Sequence, residues 1–312
     1  MEEKGKDQEK RLLALESLAK IARSHHLSPD QETLRVGRYH SIFAKDSQGR
    51  LFFIKKASGE SLKDFLDAEV TWGQVLPPLL SPDAPLILPK MVAYQHSDWL
   101  ICEALKRQDS LDGKDMAKWV DCCVETILFL KSIATRRELS VLSNPRYDKE
   151  NTPHLLKENV ATYSKEPLET GLLAPEELDR LKAIIFDGQE YGSSLEHGDF
   201  SQAHMFVSKP FTQIALIDAE WSSASAFAYA DVAQFYNLNF TKFGQPDNAR
   251  RFLQKLFEKV EDKDYFARQF MIFSAYRLIC KMRDFARSAK TSSAEGHQTL
   301  KKQILSGFEA ML

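Results

Sequence analysis

The spacing of hydrophobic positions in the first hundred residues predicts a small lobe that is rich in strands. Leucines and an isoleucine recur at helical spacing over 11–25, which indicates an amphipathic helix. A second helix is predicted over 58–76, where Pro77 and Pro78 end it. Short runs typical of strands lie at 32–38, 40–46, 50–57, 90–96 and 98–105.

From about residue 106 the pattern becomes mostly helical. Helices are predicted at 116–134, 153–165, 175–189, 229–240, 248–260, 264–286 and 297–311. Two strand-like runs interrupt them: SSLEHGD ends at Asp199, and IALIDAEW carries Asp218 near its end. We therefore predict an α+β chain with two lobes, 1–105 and 106–312, in which the helical lobe encloses one hairpin.

Composition narrows the class of protein without choosing a function. The chain is 43% hydrophobic and 28% charged with a formal charge of −2, which is typical of an ordered globular protein and argues against a nucleic-acid partner. The charged N-terminus does not resemble a secretory signal, and no apolar run approaches the roughly 20 residues that span a bilayer. We expect a cytoplasmic protein with no membrane partner. The charged stretches 250–264 and 281–290 are predicted to be solvated helix faces.

The two aspartates at strand ends suggest a particular chemistry. A carboxylate beside a substrate hydroxyl can accept its proton. A second carboxylate can hold Mg²⁺ against the oxygens of a nucleotide, and phosphoryl transfer uses both functions. Asp199 and Asp218 are candidates for these two roles, and the alternative is a pair of surface-turn aspartates without function.

The motifs around these aspartates resemble those of the aminoglycoside phosphotransferase and choline kinase family, which has a protein-kinase-like fold. The chain reads HGDFSQAHMFV, then IALIDAEW, then AYADVAQFY. The resemblance implies that Asp199 is the catalytic base and Asp218 the metal ligand. It also implies that Asp231 braces the catalytic loop and that His197 orients this loop through hydrogen bonds.

The resemblance extends to the first lobe. Lys55 in RLFFIKKA is similar to the strand lysine that contacts nucleotide phosphates, and Glu69 on the next helix is similar to its ion-pair partner. Lys56 points to the opposite face of the strand and remains the alternative to Lys55. Asp67 is the less well placed alternative to Glu69.

Two further features of the first lobe concern the nucleotide. The backbone around Glu103 and Ala104 is expected to meet the adenine, as in the hinge strand of the family. The loop expected to cover the phosphates has Gly37 alone, where protein kinases have several glycines. Its polar side chains either contact phosphate or belong to an ordinary polar hairpin loop: Arg38, His40 and Ser41.

His204 stands where the family has a metal-binding asparagine. An imidazole nitrogen suits Mn²⁺ or Zn²⁺ better than it suits Mg²⁺. Three interpretations stay open: His204 is a metal ligand, it bonds to Asp199 or to phosphate while Asp218 holds the metal, or the site has lost catalysis. Glu220, two residues after Asp218, either assists the metal or faces the acceptor.

The sequence thus predicts a phosphotransferase that uses ATP or GTP with Mg²⁺ or Mn²⁺. The phosphate acceptor is expected to be a small molecule with a hydroxyl group, such as a sugar, an amino alcohol or an aminoglycoside-like compound. The alternative is a catalytically silent nucleotide-binding or scaffold protein of the same fold.

Overall fold

The small lobe consists of one antiparallel sheet with a helix on each side. The computed structural model describes residues 2–105, 113–143, 152–187, 190–208, 211–288 and 293–312. The elements of the first lobe are α1 (Glu2–Ser24), β1 (Ser28–Val36), β2 (Tyr39–Lys45), β3 (Leu51–Ala57), α2 (Lys63–Val75), β4 (Leu86–Ile87), β5 (Met91–Gln95) and β6 (Trp99–Glu103). Strands β1, β2, β3, β6 and β5 are neighbours in that order. The cross-strand partners Ile42 and Ile54 are fully buried in a cluster with Leu18 of α1, whereas Leu100 on the opposite face is buried against α2.

The remainder of the chain is mostly helical. Its elements are α3 (Gly113–Ile133), α4 (Thr152–Tyr163), α5 (Lys165–Glu169), α6 (Pro175–Phe186), β7 (Ser193–Glu196), β8 (Met205–Ser208), β9 (Gln213–Leu216), β10 (Ser223–Phe227), α7 (Ala230–Thr241), α8 (Pro246–Lys259), α9 (Lys263–Arg287) and α10 (Ala294–Ser306). Helix α7 is buried along its whole length. Aromatic rings such as Phe235, Phe252 and Phe270 fill the core around it, because large rings bury the most apolar surface.

The strands that carry the two aspartates are not paired with each other, so the prediction of one hairpin is incomplete. Strand β7 pairs with β10, whereas β9 pairs with β8 and, in parallel, with β4. The sequence SASAF of β10 has four small residues before Phe227, and β4 is two residues long within a proline-rich segment. Neither has the run of branched or aromatic residues that indicates a strand, so pattern analysis misses both.

The α+β prediction is confirmed, with a small antiparallel sheet followed by a mostly helical region. Most of the predicted connection near 104–110 lies outside the described residues. Helix by helix, the described part of the chain contains none that is both long and apolar enough to cross a membrane.

Candidate active site

A cavity of about 980 Å³ lies between the small sheet and the β8–β9 hairpin. Its walls come from both lobes: the strands β1 to β3 and β6 on one side, and 202–206 with 216–219 on the other. Six of the seven predicted site residues line it: Lys55, Glu69, Glu103, Ala104, His204 and Asp218. The folding of the chain therefore gathers at one cavity residues that are up to 163 positions apart.

Lys55 lies at the centre of the charged end of the cavity. Its side chain is 6% exposed, and Nζ is 2.6 Å from Glu69 Oε2, in contact with Asp218 Oδ1 and 3.9 Å from Glu220 Oε2. Burial lowers the pKa of Lys55, but the three carboxylates outweigh burial and raise it above its usual range. Lys55 is therefore a permanent cation that joins α2 to the segment after β9.

The alternatives to these two residues have other partners. Lys56 is on the opposite face of β3 and forms an ion pair with Asp98. Asp67 accepts hydrogen bonds from the backbone N–H of Ser97 at 2.6 Å and from its hydroxyl at 2.7 Å. Asp67 thus stabilises the turn between β5 and β6, where Ser97 has a left-handed φ of 60°.

The backbone at Asp218 turns sharply after β9. Its φ is 65°, a left-handed conformation that aspartate tolerates better than most residues. The Ile217 N–H donates to the His204 carbonyl at 3.1 Å, so the turn is fixed against the end of the loop that carries Asp199. Burial raises the pKa of Asp218, but Lys55 and the neighbouring histidines outweigh it and hold that pKa below its usual range.

The loop that carries Asp199 is held by a buried aspartate. Asp231 accepts hydrogen bonds from the backbone N–H of His197 at 2.6 Å and of Gly198 at 2.8 Å. Gly198 has a φ of 83°, and a Cβ at this position would overlap the carbonyl and Cβ of Trp221. Glycine is therefore required here both for its conformation and for the close approach of the two segments.

A second buried carboxylate supports the same loop and was not predicted. Glu196 is fully buried, accepts hydrogen bonds from the backbone N–H of Tyr229 and of Asp231, and forms an ion pair with Lys131 of α3. Burial raises the pKa of Asp231, and the charge of Glu196 raises it further. The available signal was a lysine inside the apolar part of a predicted helix, whereas Glu196 ends a short strand that contains two serines.

Asp199 has a partner for each carboxylate oxygen. Gln234 of α7, which is buried, donates from Nε2 to Asp199 Oδ1 at 2.8 Å. His204 Nδ1 lies 3.3 Å from Asp199 Oδ2 and 3.1 Å from the Asp199 carbonyl oxygen. The orientation of the carboxylate is thus fixed from two sides. Gln234 was missed because its motif position, three residues after Asp231, has no chemical signature of its own.

His204 stands between the two aspartates. Its Nδ1 faces a carbonyl oxygen, which only accepts, so we assign the ring proton of the neutral imidazole to Nδ1. The lone pair on Nε2 then faces Asp218 Oδ2 at 3.5 Å. Two electron-pair donors that face each other at this distance suit a shared cation, and a backbone carbonyl is a common partner for the other nitrogen of a metal-binding histidine.

A divalent metal ion, which the resemblance implies, fits these residues as a partly open site. Among the described residues, no group of three or more His, Cys, Asp and Glu side chains is arranged to hold a metal ion. His204 and Asp218 supply two ligands. Ions such as Mg²⁺ commonly take one or two ligands from the protein and the rest from phosphate oxygens and water.

The loop between β1 and β2 is joined to the Asp218 segment by an ion pair. Arg38 lies 2.6 Å from the largely buried Glu220. The guanidinium also lies 5.1 to 5.4 Å from the ring centroids of Tyr39, Phe65 and Trp221, within the range of cation–π interaction. Glu220 therefore faces the β1–β2 loop and Lys55 in this structure.

Glu103 and Ala104 line the cavity at the end of β6. The N–H of Glu103 donates to the Lys90 carbonyl and that of Ala104 to the Leu51 carbonyl, both at 2.9 Å. These two donors are engaged within the small lobe. An adenine contact in this region would therefore use other backbone atoms.

The chain was compared with known proteins by sequence and by structure. Neither a family model nor a curated protein sequence matches it. It superimposes on the macrolide 2′-phosphotransferase MphH from Brachybacterium faecium over 93% of this chain and 97% of that one, with 16% identity and a TM-score of 0.60. It superimposes on an amicoumacin kinase in complex with AMP-PNP and Ca²⁺ over 98% of this chain and 96% of that one, with 13% identity and a TM-score of 0.58. For choline kinase from Cryptosporidium parvum, the superposition covers 90% of this chain and 89% of that one, with 14% identity and a TM-score of 0.56.

These identities establish the fold and no more. The chain has the protein-kinase-like fold in the form shared by antibiotic phosphotransferases and choline kinase, as the sequence motifs predicted. The fold defines a class of proteins within which substrates differ widely, so the activity has to be argued from the site.

Proposed function

We propose that the protein is a phosphotransferase that moves the γ-phosphate of ATP or GTP to a hydroxyl group of a small molecule. The observation that carries the proposal is the convergence of Lys55, Asp218 and His204 at one end of the cavity, with Asp199, which does not itself line the cavity, next to His204. Phosphoryl transfer requires a cation, a metal site and a base close together, and these residues supply a candidate for each.

Asp199 is proposed as the general base. Its carboxylate accepts the acceptor's hydroxyl proton as the oxygen attacks the γ-phosphorus. Gln234 and His204 hold the carboxylate in one orientation, which reduces the entropy lost in reaching the reactive geometry. The bond to the leaving nucleoside diphosphate breaks, and the diphosphate departs with the negative charge.

Lys55 and the Asp218–His204 pair are proposed to serve the nucleotide. Lys55 contacts its phosphates and is kept in place by Glu69. Asp218 and His204 would hold the divalent ion, which neutralises charge on the phosphates when bound. Because His204 contributes nitrogen in place of an amide oxygen, we expect Mn²⁺ to be preferred over Mg²⁺ more than in a site of oxygen ligands.

The similar structures support the nucleotide part of this proposal. The amicoumacin kinase was solved with AMP-PNP and Ca²⁺, and an aminoglycoside 2″-phosphotransferase was solved with ATP and streptomycin. Each of these complexes contains a nucleotide together with a small molecule in a protein of this fold. For this chain we propose the same pairing of ligands, with the acceptor unspecified by the comparison.

Nucleotide binding and turnover in an Asp199→Ala variant test the proposal. ATP and GTP should raise the melting temperature of the wild type in the presence of Mn²⁺ or Mg²⁺, and slow metal-dependent release of nucleoside diphosphate should follow. Asp199→Ala should keep nucleotide binding and lose turnover, by about 100-fold or more. Asp179→Ala, at an exposed position on α6, is the matched control and should behave as the wild type.

Two outcomes would overturn the proposal. Full turnover by Asp199→Ala would exclude the assigned base. Nucleotide binding without any turnover in the wild type would identify a silent nucleotide-binding protein.

A further inference from the structure

The loop between β1 and β2 forms one wall at the charged end of the cavity. Gly37 and Tyr39 line the cavity together with Lys55 and Asp218. The Lys55 ammonium lies 4.2 Å from the ring centroid of Tyr39, so the loop is close to the lysine proposed to bind the phosphates. Protein kinases use several glycines to bring such a loop close to phosphate, and this loop has one. Its position over the phosphates therefore depends on its side chains.

Arg38, between Gly37 and Tyr39, crosses from the small lobe to the segment after β9. Its guanidinium donates from Nη1 to Glu220 Oε1 at 2.6 Å, and the Glu220 side chain is 7% exposed. A hydrogen bond between two charged groups is about twice as strong as a neutral one, and burial of the carboxylate reduces its screening by water. This contact joins the loop to the chain two residues after Asp218.

Aromatic rings hold the same guanidinium. Its central carbon lies 5.1 to 5.4 Å from the centroids of three rings: Tyr39, Phe65 and Trp221. Phe65 belongs to α2, the helix that carries Glu69, and its ring centroid is 4.5 Å from that of Trp221. The hydroxyl of Ser58, just after β3, donates to the Arg38 carbonyl oxygen. The loop, α2 and the segment after β9 therefore meet at one guanidinium.

The segment that receives Arg38 also supports the loop that carries Asp199. A Cβ on Gly198 would lie 2.3 Å from the Trp221 carbonyl oxygen, so the two backbones are in direct contact. The wall of the phosphate end and the proposed base are thus both positioned from residues 220–221.

We propose that Arg38 is a positioning residue that holds the β1–β2 loop closed over the nucleotide phosphates, with Glu220 as its partner across the cleft. We call this Arg38–Glu220 pair the latch. A loop already held in place loses less entropy when the nucleotide binds, and it opens less often to release it. The role in nucleotide binding rests on the proposed function, whereas the closure of the loop does not.

The first measurement follows the loop itself, without nucleotide. Backbone amide hydrogen exchange of residues 37–41 is compared in the wild type, Arg38→Met and Glu220→Gln. Both variants should exchange about tenfold faster or more, because the loss of a hydrogen bond to a charged group favours local opening. The matched control is Arg50→Met, which removes an arginine from an ion pair with Asp46 at the neighbouring β2–β3 turn and should leave the exchange of 37–41 unchanged.

The second measurement is the dissociation rate of AMP-PNP with saturating Mn²⁺, or of GMP-PNP if the wild type prefers guanine. Arg38→Met should release the nucleotide about tenfold faster, and Arg50→Met should match the wild type. Arg38→Lys keeps the charge but loses the planar group that lies among the rings, so it should recover part of the slow release. The melting temperature of each variant establishes that it is folded.

A double variant separates the latch from other effects of Glu220, which also lies 3.9 Å from Lys55. In the Arg38→Met background, Glu220→Gln should accelerate release about tenfold less than it does in the wild type, because the latch is already broken. Additive effects of the two substitutions would overturn the pairing.

Other outcomes would overturn the inference in different ways. Unchanged exchange of 37–41 in Arg38→Met would show that the latch does not hold the loop. Faster exchange with unchanged nucleotide release would refute the positioning role. Tighter AMP-PNP binding by Glu220→Gln would show that Arg38, once released, binds phosphate directly. If neither AMP-PNP nor GMP-PNP binds the wild type, the proposed function fails, and the exchange measurement still decides whether the latch holds the loop.

Discussion

Two mostly buried lysines have surroundings that differ in charge. Lys55 on β3 has three carboxylates within 4 Å, whereas Lys281 on α9 has one at 3.6 Å that is already bound to an arginine. The carboxylates outweigh burial and raise the pKa of Lys55, whereas burial and the charge of Arg277 lower the pKa of Lys281. The pKa of the same residue type moves in opposite directions because the neighbouring segments supply different counter-charges.

The largest effect is expected at Lys55. Lys55→Met leaves Glu69 and Asp218 without their buried cation, which should cost about 3–5 kcal/mol of stability and weaken nucleotide binding by about 100-fold. Lys56→Met breaks a more exposed pair and should cost at most about 1 kcal/mol, with nucleotide binding unchanged. Chemical denaturation and AMP-PNP titration measure both quantities. Equal effects of the two substitutions would show that the carboxylates around Lys55 do not distinguish it from Lys56.

The next prediction concerns His204, which lies between Asp199 and Asp218. If it is a metal ligand, His204→Ala should weaken metal-dependent nucleotide binding by about 10- to 100-fold. His204→Asn restores an oxygen ligand and should shift the preference from Mn²⁺ towards Mg²⁺. Metal titrations followed by AMP-PNP affinity provide the measurement, with His96→Ala on the exposed β5–β6 turn as control. An unchanged Mn²⁺ to Mg²⁺ ratio in His204→Ala would show that His204 only orients Asp199.

A smaller effect is expected from His197, which is fully buried. Burial and the nearby His204 lower the pKa of His197 from 6.5 to about 4, although Asp199 and Asp218 oppose the shift. The unfolded chain therefore takes up a proton near pH 6.5 while the folded chain does not. The stability that depends on neutral His197 is complete above pH 6.5 and is lost as the pH falls towards 4, by about 1 kcal/mol at pH 5.5.

Urea denaturation between pH 7.5 and 5 measures this loss. His197→Gln should flatten the pH dependence by that amount, whatever its effect on stability at neutral pH. His154→Gln, at an exposed position on α4, should leave the pH dependence as it is in the wild type. Identical slopes in all three proteins would refute the assignment to His197.

The sequence identifies site residues that share one short stretch better than those that reach the site from distant helices, and the reason is physical. Asp199, His204 and Asp218 lie within one short stretch, and their spacing is visible because the turns that present them are local. Gln234 reaches Asp199 from a helix that pattern analysis identifies only as a helix. Its contact follows from which helix faces meet, and this depends on the packing of the entire helical region.

The supporting charges show the same limit. Glu196 and Lys131 are 65 positions apart, and no local pattern pairs them. The predicted helices agree with the observed ones to within a few residues over most of the chain, except that α1 begins nine residues earlier than expected. The small strands β4 and β10 depend on partners that no local pattern names.

The close approach at Gly198 has a consequence for how such a protein can diversify. The backbone before Asp199 rests against Trp221, three residues after Asp218, with no room for a side chain between them. The separation between the proposed base, Asp199, and the proposed metal ligand, Asp218, is therefore constrained by main-chain contact. If these roles hold, changes in the surrounding helices could exchange one acceptor for another while this separation stays the same.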